Sequence, residues 1–311
     1  MKKRYLVTGA SGLLGSNLTL LSPERWDVVA LARTHPIVTP PKNVRAREAD
    51  LLSTNLPSLL DPFLPLDGII QTVANTNVNG CQSDPEGAKA VNAQIAMELS
   101  DYALANGIHL VHISTDHLFD GVRGDYKETD EPRPINVYAQ TKLDAETYIR
   151  ESNPGASIVR TNFFGYNMQP KNDLAGWMCG ELAAGNPIRL FRDVSFSPLL
   201  VNDLVSALIE IAERKLAGVL HVTASDHCSK LDFGYELAKA FHFDTNLITA
   251  ISVDEADFSV PRPKNMSMDS TRAQQLLKTP LLPVRASIER YRQLAKTNYA
   301  RKIKQMANPS S

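Results

Sequence analysis

The chain has 311 residues, 43% of them hydrophobic, and a formal net charge of -1 at pH 7. This composition suits a sizeable core and excludes a disordered chain, and the near-neutral charge gives no general attraction to nucleic acid or anionic lipid. The apolar run after Arg4 is too short for a signal peptide, and no stretch reaches a membrane-spanning length. Three widely spaced cysteines without metal-type spacing indicate reduced thiols. We therefore expect a cytoplasmic protein with no membrane or nucleic-acid partner and no metal-binding residues of its own; whether its activity depends on a metal stays open.

Short apolar runs alternate with longer helix-like segments in the first half of the chain. The predicted strands are Tyr5–Thr8, Val28–Ala32, Gly68–Ala74, Leu110–Ser114 and Ser157–Arg160. Between the third and fourth strands, the cap and proline at Asp84-Pro85 predict a helix that ends at Asn106-Gly107. This alternation predicts an α/β fold, a Rossmann-type doubly wound parallel sheet with helices on both faces.

Glycine and proline interrupt the pattern after about residue 165, and predicted strands become sparser. We therefore expect a dinucleotide-binding domain over residues 1–165, with some later segments returning to it. A smaller C-terminal α/β substrate lobe is expected over residues 166–300 and a tail over 301–311. Predicted helices of the lobe include Asn202–Arg214 and one that begins with the capping box Ser229–Asp232. The segment from Ala300 onward is predicted to be a polar, fraying tail.

A glycine-rich loop, Thr8–Gly15, follows the first strand and precedes an apolar helix. Backbone amides and the helix N-terminus can converge there on a pyrophosphate, and glycine permits the close approach. The alternative is an ordinary strand-to-helix turn, but the strand-loop-helix context favours a dinucleotide site. The expected cofactor contacts in this loop are Gly9, Ser11, Gly12, Leu13, Leu14 and Gly15.

The choice between the two nicotinamide dinucleotides is predicted from the end of the second strand. An acid there binds the ribose hydroxyl of NAD, whereas an arginine accepts the 2′-phosphate of NADP. No acid occurs between Asp27 and Glu48, while Arg33 directly follows the strand. The sequence therefore favours NADP(H) over NAD(H), with Arg33 at the phosphate. The alternative is that Arg33 is a solvated charge at the strand end.

A candidate proton donor lies on a helix that Asn136 can cap. Tyr138 and Lys142 are four residues apart and share one face of that helix. A nearby ammonium favours the phenolate, so we expect Lys142 to lower the pKa of Tyr138. Thr115 ends the apolar strand before this helix and can hydrogen-bond a substrate carbonyl at the sheet's carboxyl edge.

The same Tyr-Lys spacing occurs a second time, at Tyr235 and Lys239. Here the tyrosine lies between Phe233 and Leu237 in an amphipathic pattern, with no hydroxyl-tipped strand before it. We interpret this second pair as part of a structural helix.

Longer segments resemble the extended short-chain dehydrogenases and, more narrowly, the dTDP-4-dehydrorhamnose reductase group. Ile113–Gly121 is similar to that group's strand-end motif and Tyr138–Glu146 to its catalytic helix. Val159–Thr161 and Arg262–Asn265 resemble later landmarks, so the likeness covers most of the chain and is weakest in the C-terminal lobe.

The resemblance implies a reaction and roles for its residues. Thr115, Tyr138 and Lys142 would form the catalytic triad, and Asp50, Leu51 and Ala74 would contact the cofactor. Hydride passes from NADPH to the ketone of a nucleotide-diphospho-4-keto-6-deoxysugar while Tyr138 protonates the oxygen. Thr115 orients the carbonyl, and Lys142 holds the nicotinamide ribose. A homodimer is also implied by the resemblance alone.

Two positions depart from the pattern of the group. His117 replaces its usual tyrosine, and the related dehydratases carry a glutamate there, so a dehydratase is disfavoured. His117 is either a pH-sensitive pocket residue or a packed or solvated histidine. The loop Asp193–Pro198 also differs, which leaves the identity of the sugar open. The candidate substrate contacts are Asn77, His117, Asn162 and Arg262.

Further cations in the second lobe can bind a diphosphate or can be surface charges. They are Arg189, Arg192 and Lys264, beside Arg262. Two other functions remain open from the sequence. One is a non-catalytic, NADP-binding regulatory subunit similar to the methionine adenosyltransferase beta subunit. The other is a sugar-nucleotide epimerase or a reductase of a different carbonyl compound.

Overall fold

The computed structural model describes residues 2–169, 173–256 and 258–308. Within these ranges the strands are β1 (Lys3–Thr8), β2 (Trp26–Ala32), β3 (Val44–Glu48), β4 (Gly68–Gln71), β5 (His109–Thr115), β6 (Ser157–Thr161), β7 (Phe163–Phe164), β8 (Ile188–Phe191), β9 (Ser195–Phe196), β10 (Leu199–Leu200), β11 (Gly218–His221), β12 (Cys228–Ser229) and β13 (Ile248–Ile251).

The α-helices in the same ranges are α1 (Leu13–Leu21), α2 (Leu56–Leu60), α3 (Val78–Ser83), α4 (Pro85–Lys89), α5 (Ile95–Ala105), α6 (Val137–Ser152), α7 (Leu174–Ala183), α8 (Val201–Arg214), α9 (Lys230–Phe241), α10 (Thr271–Leu276), α11 (Val284–Ala295) and α12 (Tyr299–Gln305). A π-helical segment, Ala90–Gln94, joins α4 to α5. No helix among the described residues has both the length and the apolar content to cross a membrane.

Seven parallel strands form the main sheet, in the order β11-β6-β5-β4-β1-β2-β3. Neighbouring residues of β1 enter different cores: Tyr5 packs with α1 and α8 on one face, and Leu6 packs with α5 and α6 on the other. Burial of both faces explains why the inner strands read as continuous apolar runs. The predicted doubly wound α/β fold is confirmed.

Two details of this sheet differ from the sequence prediction. β4 ends at Gln71, not at Ala74, because the chain turns away there and the Thr72 hydroxyl donates to the Thr8 carbonyl at 2.7 Å. β3 was not predicted, because it is an edge strand in which exposed charges such as Arg45 and Glu48 interrupt the apolar pattern.

The chain returns to the main sheet after its first pass through the second lobe. The predicted helix Asn202–Arg214 is present as α8, which packs against α1 beside the sheet. β11 then pairs in parallel with β6. Residues 201–221 therefore belong to the sheet layers, although they lie far along the chain.

The smaller lobe contains two short strand pairs, β8 with β13 and β9 with β12. Helices α7, α9 and α11 cover them, and their shared core includes Phe196, Phe233 and Tyr291. The predicted capping box is present at the start of α9, where the Ser229 hydroxyl accepts from the backbone N–H of Asp232 at 3.0 Å.

The prediction of a fraying tail from Ala300 was wrong for the residues described. α12 extends over Tyr299–Gln305, and Ile303 and Met306 are buried in the core beside α1. The Tyr299 hydroxyl donates to the Asn17 side chain. These apolar residues lie on one face of the helix, so docking buries them while the lysines stay in water. Residues 309–311 of the predicted tail lie outside the described residues.

Candidate active site

The glycine loop makes a tight turn between β1 and α1. Gly9 has a φ of +64°, a conformation that favours glycine. A Cβ on Gly15 would lie 2.2 Å from the Gly9 carbonyl oxygen, so only glycine lets the helix approach the loop so closely. Gly12 caps α1 without a side chain, which leaves the first backbone amides of the helix open to the cleft. The loop fits a pyrophosphate at this helix N-terminus.

A cavity of about 480 Å³ extends from this loop along the carboxyl ends of β1, β2, β3 and β4. It is lined by the predicted cofactor residues Gly9, Ser11, Gly12, Arg33, Asp50, Leu51 and Ala74. The Arg33 side chain is exposed at its rim, and Leu51 is buried in its wall. The volume and the lining, which includes the Arg33 cation, suit a dinucleotide.

The sequence did not point to Gln169, which also lines this cavity. Its Nε2 donates to the Ser11 carbonyl at 2.8 Å and so ties the glycine loop to the segment after β7. No motif marks Gln169, because only the fold brings it near residues more than a hundred positions earlier in the chain.

A second cavity, of about 390 Å³, adjoins the first, and both are lined by Gly12, Thr72 and Ala74. The remaining predicted loop residues, Leu13, Leu14 and Gly15, lie here. The same cavity is lined by Thr115, Tyr138 and Lys142. The structure therefore brings the predicted triad to the inner end of the cleft.

Tyr138 lies near the start of α6, which Asn136 caps as predicted by accepting from the Ala139 amide at 2.9 Å. The phenol is buried, and this burial raises the pKa of Tyr138 to about 12, although its hydrogen bond with Thr115 acts in the opposite direction. The net shift is opposite to the one expected from Lys142, because the loss of water around the phenolate outweighs the favourable contacts.

Lys142 is fully buried on the same face of α6. Its Nζ donates to the Ile113 carbonyl at 2.7 Å and lies 3.3 Å from Nε2 of His112. Burial lowers the pKa of Lys142 to about 8, while the Glu146 carboxylate opposes that change. The ammonium is therefore bound by the Ile113 carbonyl of β5, while the Lys142 side chain borders the cavity.

Thr115 ends β5 and caps the 3-10 turn Asp116–Leu118. Its hydroxyl accepts from the His117 backbone N–H and donates to the Asp116 carboxylate, each at 3.2 Å. The other Asp116 oxygen accepts from Nδ2 of Asn162 at 2.7 Å. This network fixes the end of β5, and Asn162 and His117 both line the cavity with Thr115.

The predicted substrate contact Asn77 does not line either cavity. Its side chain caps α3 by accepting from the Gly80 amide at 3.0 Å, so it stabilises a helix end. Arg262 contacts Asn79 on the same helix at 2.8 Å and lowers the pKa of His117 together with burial, the larger cause. Arg262 also lines neither cavity, and its charge reaches the site through His117.

Other predicted cations are engaged elsewhere. Arg192 pairs with Glu255 at 3.1 Å and Lys264 with Asp254 at 2.6 Å, all on the surface. Lys239, from the second Tyr-Lys pair, binds Glu236 at 3.0 Å on the surface of α9.

Lys230 is a cation that the sequence reasoning missed. It is the first residue of α9, and its Nζ lies 3.4 Å from the centroid of the Phe196 ring. Among the described residues it has neither a side-chain hydrogen bond nor an ion pair. Burial lowers its pKa to about 8, opposed by the negative charge of Asp116, which places Lys230 within electrostatic reach of the active site. The capping box located the start of this helix, but only the fold places Lys230 on the Phe196 ring.

Comparisons with known proteins agree with this geometry. The family model described as the RmlD substrate binding domain matches residues 3–296. A relative from Haloferax volcanii, named a probable low-salt glycan biosynthesis reductase, is 32% identical over 85% of this chain and 88% of its own. Methionine adenosyltransferase 2 subunit beta of Xenopus laevis is 26% identical over 88% of this chain and 82% of its own.

A solved structure of dTDP-4-dehydrorhamnose reductase from Bacillus anthracis, in complex with NADP, is also similar. It superposes with a TM-score of 0.82 at 25% identity and covers 96% of this chain and 100% of its own. The predicted nicotinamide-dependent oxidoreductase is confirmed, and the chain belongs to the RmlD substrate binding domain family of extended short-chain dehydrogenases.

Proposed function

We propose that the protein reduces the 4-keto group of a nucleotide-diphospho-6-deoxysugar with NADPH. The observation that carries this proposal is the position of Thr115, Tyr138 and Lys142 in a cavity that continues into the dinucleotide-sized cleft. A hydride donor in the first cavity and a ketone in the second would meet where the two cavities join, beside Gly12 and Ala74, which line both.

The bound dinucleotide would provide the hydride. The triad would provide the hydrogen bond that orients the ketone and the proton that its oxygen takes up. The Thr115 hydroxyl, which donates its one hydrogen to Asp116 in the structure, would turn it to the carbonyl oxygen and orient the ketone. Tyr138 would donate its phenolic proton to the same oxygen. Because its pKa is raised to about 12, Tyr138 holds this proton at neutral pH. Lys142 binds the nicotinamide ribose, and its positive charge stabilises the phenolate that forms. A proton from solvent restores Tyr138, so ketone, NADPH and one proton give alcohol and NADP⁺.

NADPH is the proposed reductant because of the charge at the cleft's outer end. Arg33 follows β2 and lines the rim, where its guanidinium can pair with a 2′-phosphate. Asp50 is the acid in this part of the lining, and its Oδ1 accepts from the Leu52 amide at 3.1 Å in a local turn.

The diphosphate of the proposed substrate matches two cations, Lys230 and Arg262, whose positive charges act on His117 at the second cavity. Among the residues described, the Lys230 ammonium contacts the Phe196 ring but has no hydrogen-bond or ion-pair partner. In the same ranges Arg262 hydrogen-bonds neutral Asn79, lies over the Phe258 ring and has no ion pair. A partly buried cation is costly unless a ligand compensates for its lost hydration. An anionic substrate group provides that compensation.

A regulatory subunit is the second candidate, favoured by the similarity to methionine adenosyltransferase 2 subunit beta. The intact triad favours the enzyme. An epimerase would use the same cleft but return the cofactor to its starting state after each turnover. A cytoplasmic location and a homodimer remain predictions from the sequence.

The test is NADPH oxidation, followed by absorbance, with a panel of nucleotide-linked 4-ketosugars. We expect turnover by the wild type and a loss of at least about a thousandfold in Tyr138→Phe, which keeps the ring but removes the proton. Tyr235→Phe is the matched control and keeps wild-type turnover. Tight NADPH binding without turnover on any panel member would instead support the regulatory subunit.

A further inference from the structure

A buried histidine, which the proposed chemistry does not use, lies directly behind the active-site lysine. His112 is on β5 and is fully buried, with its Nε2 3.3 Å from Nζ of Lys142. A lysine ammonium has three donor hydrogens and no acceptor. The contact is therefore a hydrogen bond only when Nε2 of His112 accepts, which requires the neutral imidazole with its proton on Nδ1.

The surroundings keep this imidazole neutral. Burial holds the pKa of His112 well below its ordinary value, and the positive charge of Lys142 acts in the same direction. A neutral acceptor in a water-poor site favours the charged form of the lysine that it contacts. His112 thus opposes the burial that lowers the pKa of Lys142.

The other ring nitrogen shows that packing alone does not explain a histidine here. Nδ1 of His112 is buried and has no hydrogen-bond partner among the described residues. Gln71 of β4 pairs in register with His112. Its Oε1 is likewise buried and has no hydrogen-bond partner among the residues that the structure describes. An apolar side chain at position 112 would avoid the cost of an unsatisfied donor.

We propose that His112 is a positioning residue that holds the Lys142 ammonium through this hydrogen bond. The Ile113 carbonyl takes a second hydrogen at 2.7 Å, so the third is directed into the cavity that Lys142 lines. The contribution of His112 to turnover rests on the proposed reductase function, whereas the contact itself does not.

Other titratable groups around the lysine act less directly. Glu146, on α6 itself, raises the pKa of Lys142 but is bound by Arg160 of β6 at 2.7 Å. Asp116, beyond β5, and Cys81, on α3, act on Tyr138 and raise its pKa. His112 is therefore the titratable side chain in direct contact with Nζ of Lys142.

Two substitutions separate hydrogen bonding from packing. His112→Gln keeps an acceptor, whereas His112→Leu removes it. His109→Leu is the matched control, because His109 is a buried histidine on the same strand that contacts Ser157 at 2.9 Å instead of the lysine. The ionisation of Lys142 is followed by ¹⁵N NMR of lysine-labelled protein and assigned with Lys142→Met.

We expect His112→Leu to lower the pKa of Lys142 by about one unit and kcat at neutral pH by roughly tenfold, the scale of one hydrogen bond to a charged group. His112→Gln and His109→Leu should leave both quantities near wild type. An unchanged Lys142 titration in His112→Leu, or equal shifts in the leucine and glutamine variants, would overturn the proposal.

The wild-type protein provides a measurement that does not depend on the folding of any variant. The ¹⁵N chemical shifts of the His112 ring report its tautomer, and we expect the proton on Nδ1. A proton on Nε2 would overturn the proposal. Because neither NMR measurement needs a substrate, absent turnover on 4-ketosugars would count against the reductase and not against this contact.

Discussion

The imidazole of His117 meets the ring of Tyr138 edge-on, with centroids 5.6 Å apart and planes inclined by 78°. Burial lowers the pKa of His117, so the ring is neutral at physiological pH. Its Nδ1 is buried without a hydrogen-bond partner among the described residues, while the side chain lines the same cavity as Tyr138. The sequence left two alternatives for His117, and this position favours a pocket residue that can hydrogen-bond the substrate beside the phenol.

Arg33→Asp tests the proposed phosphate contact. A carboxylate at this rim repels a 2′-phosphate and can bond a ribose hydroxyl, so we expect the ratio of kcat/KM for NADPH to that for NADH to fall roughly tenfold to a hundredfold. Arg47→Asp is the control, because Arg47 is an exposed cation on β3 that does not line the cavity. Equal changes in both variants would indicate a general charge effect and remove Arg33 from the site.

Lys230→Met tests the proposed contact with the substrate anion. Methionine keeps an unbranched side chain against Phe196 but removes the charge, so we expect KM for the nucleotide sugar to rise roughly tenfold while the Kd for NADPH stays unchanged. Lys239→Met removes a charge from the surface of the same helix and serves as control. An unchanged KM in Lys230→Met would show that the diphosphate binds elsewhere.

Gly15→Ala tests the close approach of α1 to the glycine loop. The added Cβ would lie 2.2 Å from the Gly9 carbonyl oxygen, so we expect the Kd for NADPH to rise at least about tenfold and the protein to be destabilised by about 1–3 kcal/mol. Gly180→Ala, on α7, meets no atom within 4 Å and should be neutral or stabilising. Titration with NADPH and thermal denaturation measure both effects. Wild-type affinity in Gly15→Ala would contradict the proposed fit.

The pH dependence of stability can be predicted from two other buried histidines. Burial lowers the pKa of His109 to about 4 and of His221 to about 3, below the ordinary value of 6.5. The unfolded chain binds more protons than the folded protein between the folded and ordinary pKa values. Stability therefore rises with pH through this window and is lost as pH falls from about 6.5 toward 4 for His109 and toward 3 for His221. His221→Gln should flatten this dependence, as measured by urea denaturation at several pH values. An equally steep dependence in the variant would assign it to other groups.

Local sequence determined several structural features of this protein. The apolar strands, the glycine spacing of the first loop, the Asn136 cap and the capping box at Ser229 follow from neighbouring residues, since turns, caps and strand patterns depend on short-range sterics and hydrogen bonds. The proximity of Thr115, Tyr138 and Lys142 could also be predicted, because Thr115 ends a strand and Tyr138 and Lys142 share one helical face; their catalytic roles stay a proposal.

Only the tertiary structure decided the rest. Gln169 reaches the glycine loop, Lys230 packs on the Phe196 ring, and α12 docks beside α1 through contacts between segments far apart in the chain. The sign of the Tyr138 pKa shift also depended on the fold, because burial raises this pKa more than the hydrogen bond with Thr115 lowers it, and burial exists only once packing has excluded water. Sequence spacing specifies which groups can meet along one element, but burial and long-range contacts exist only after the elements have packed.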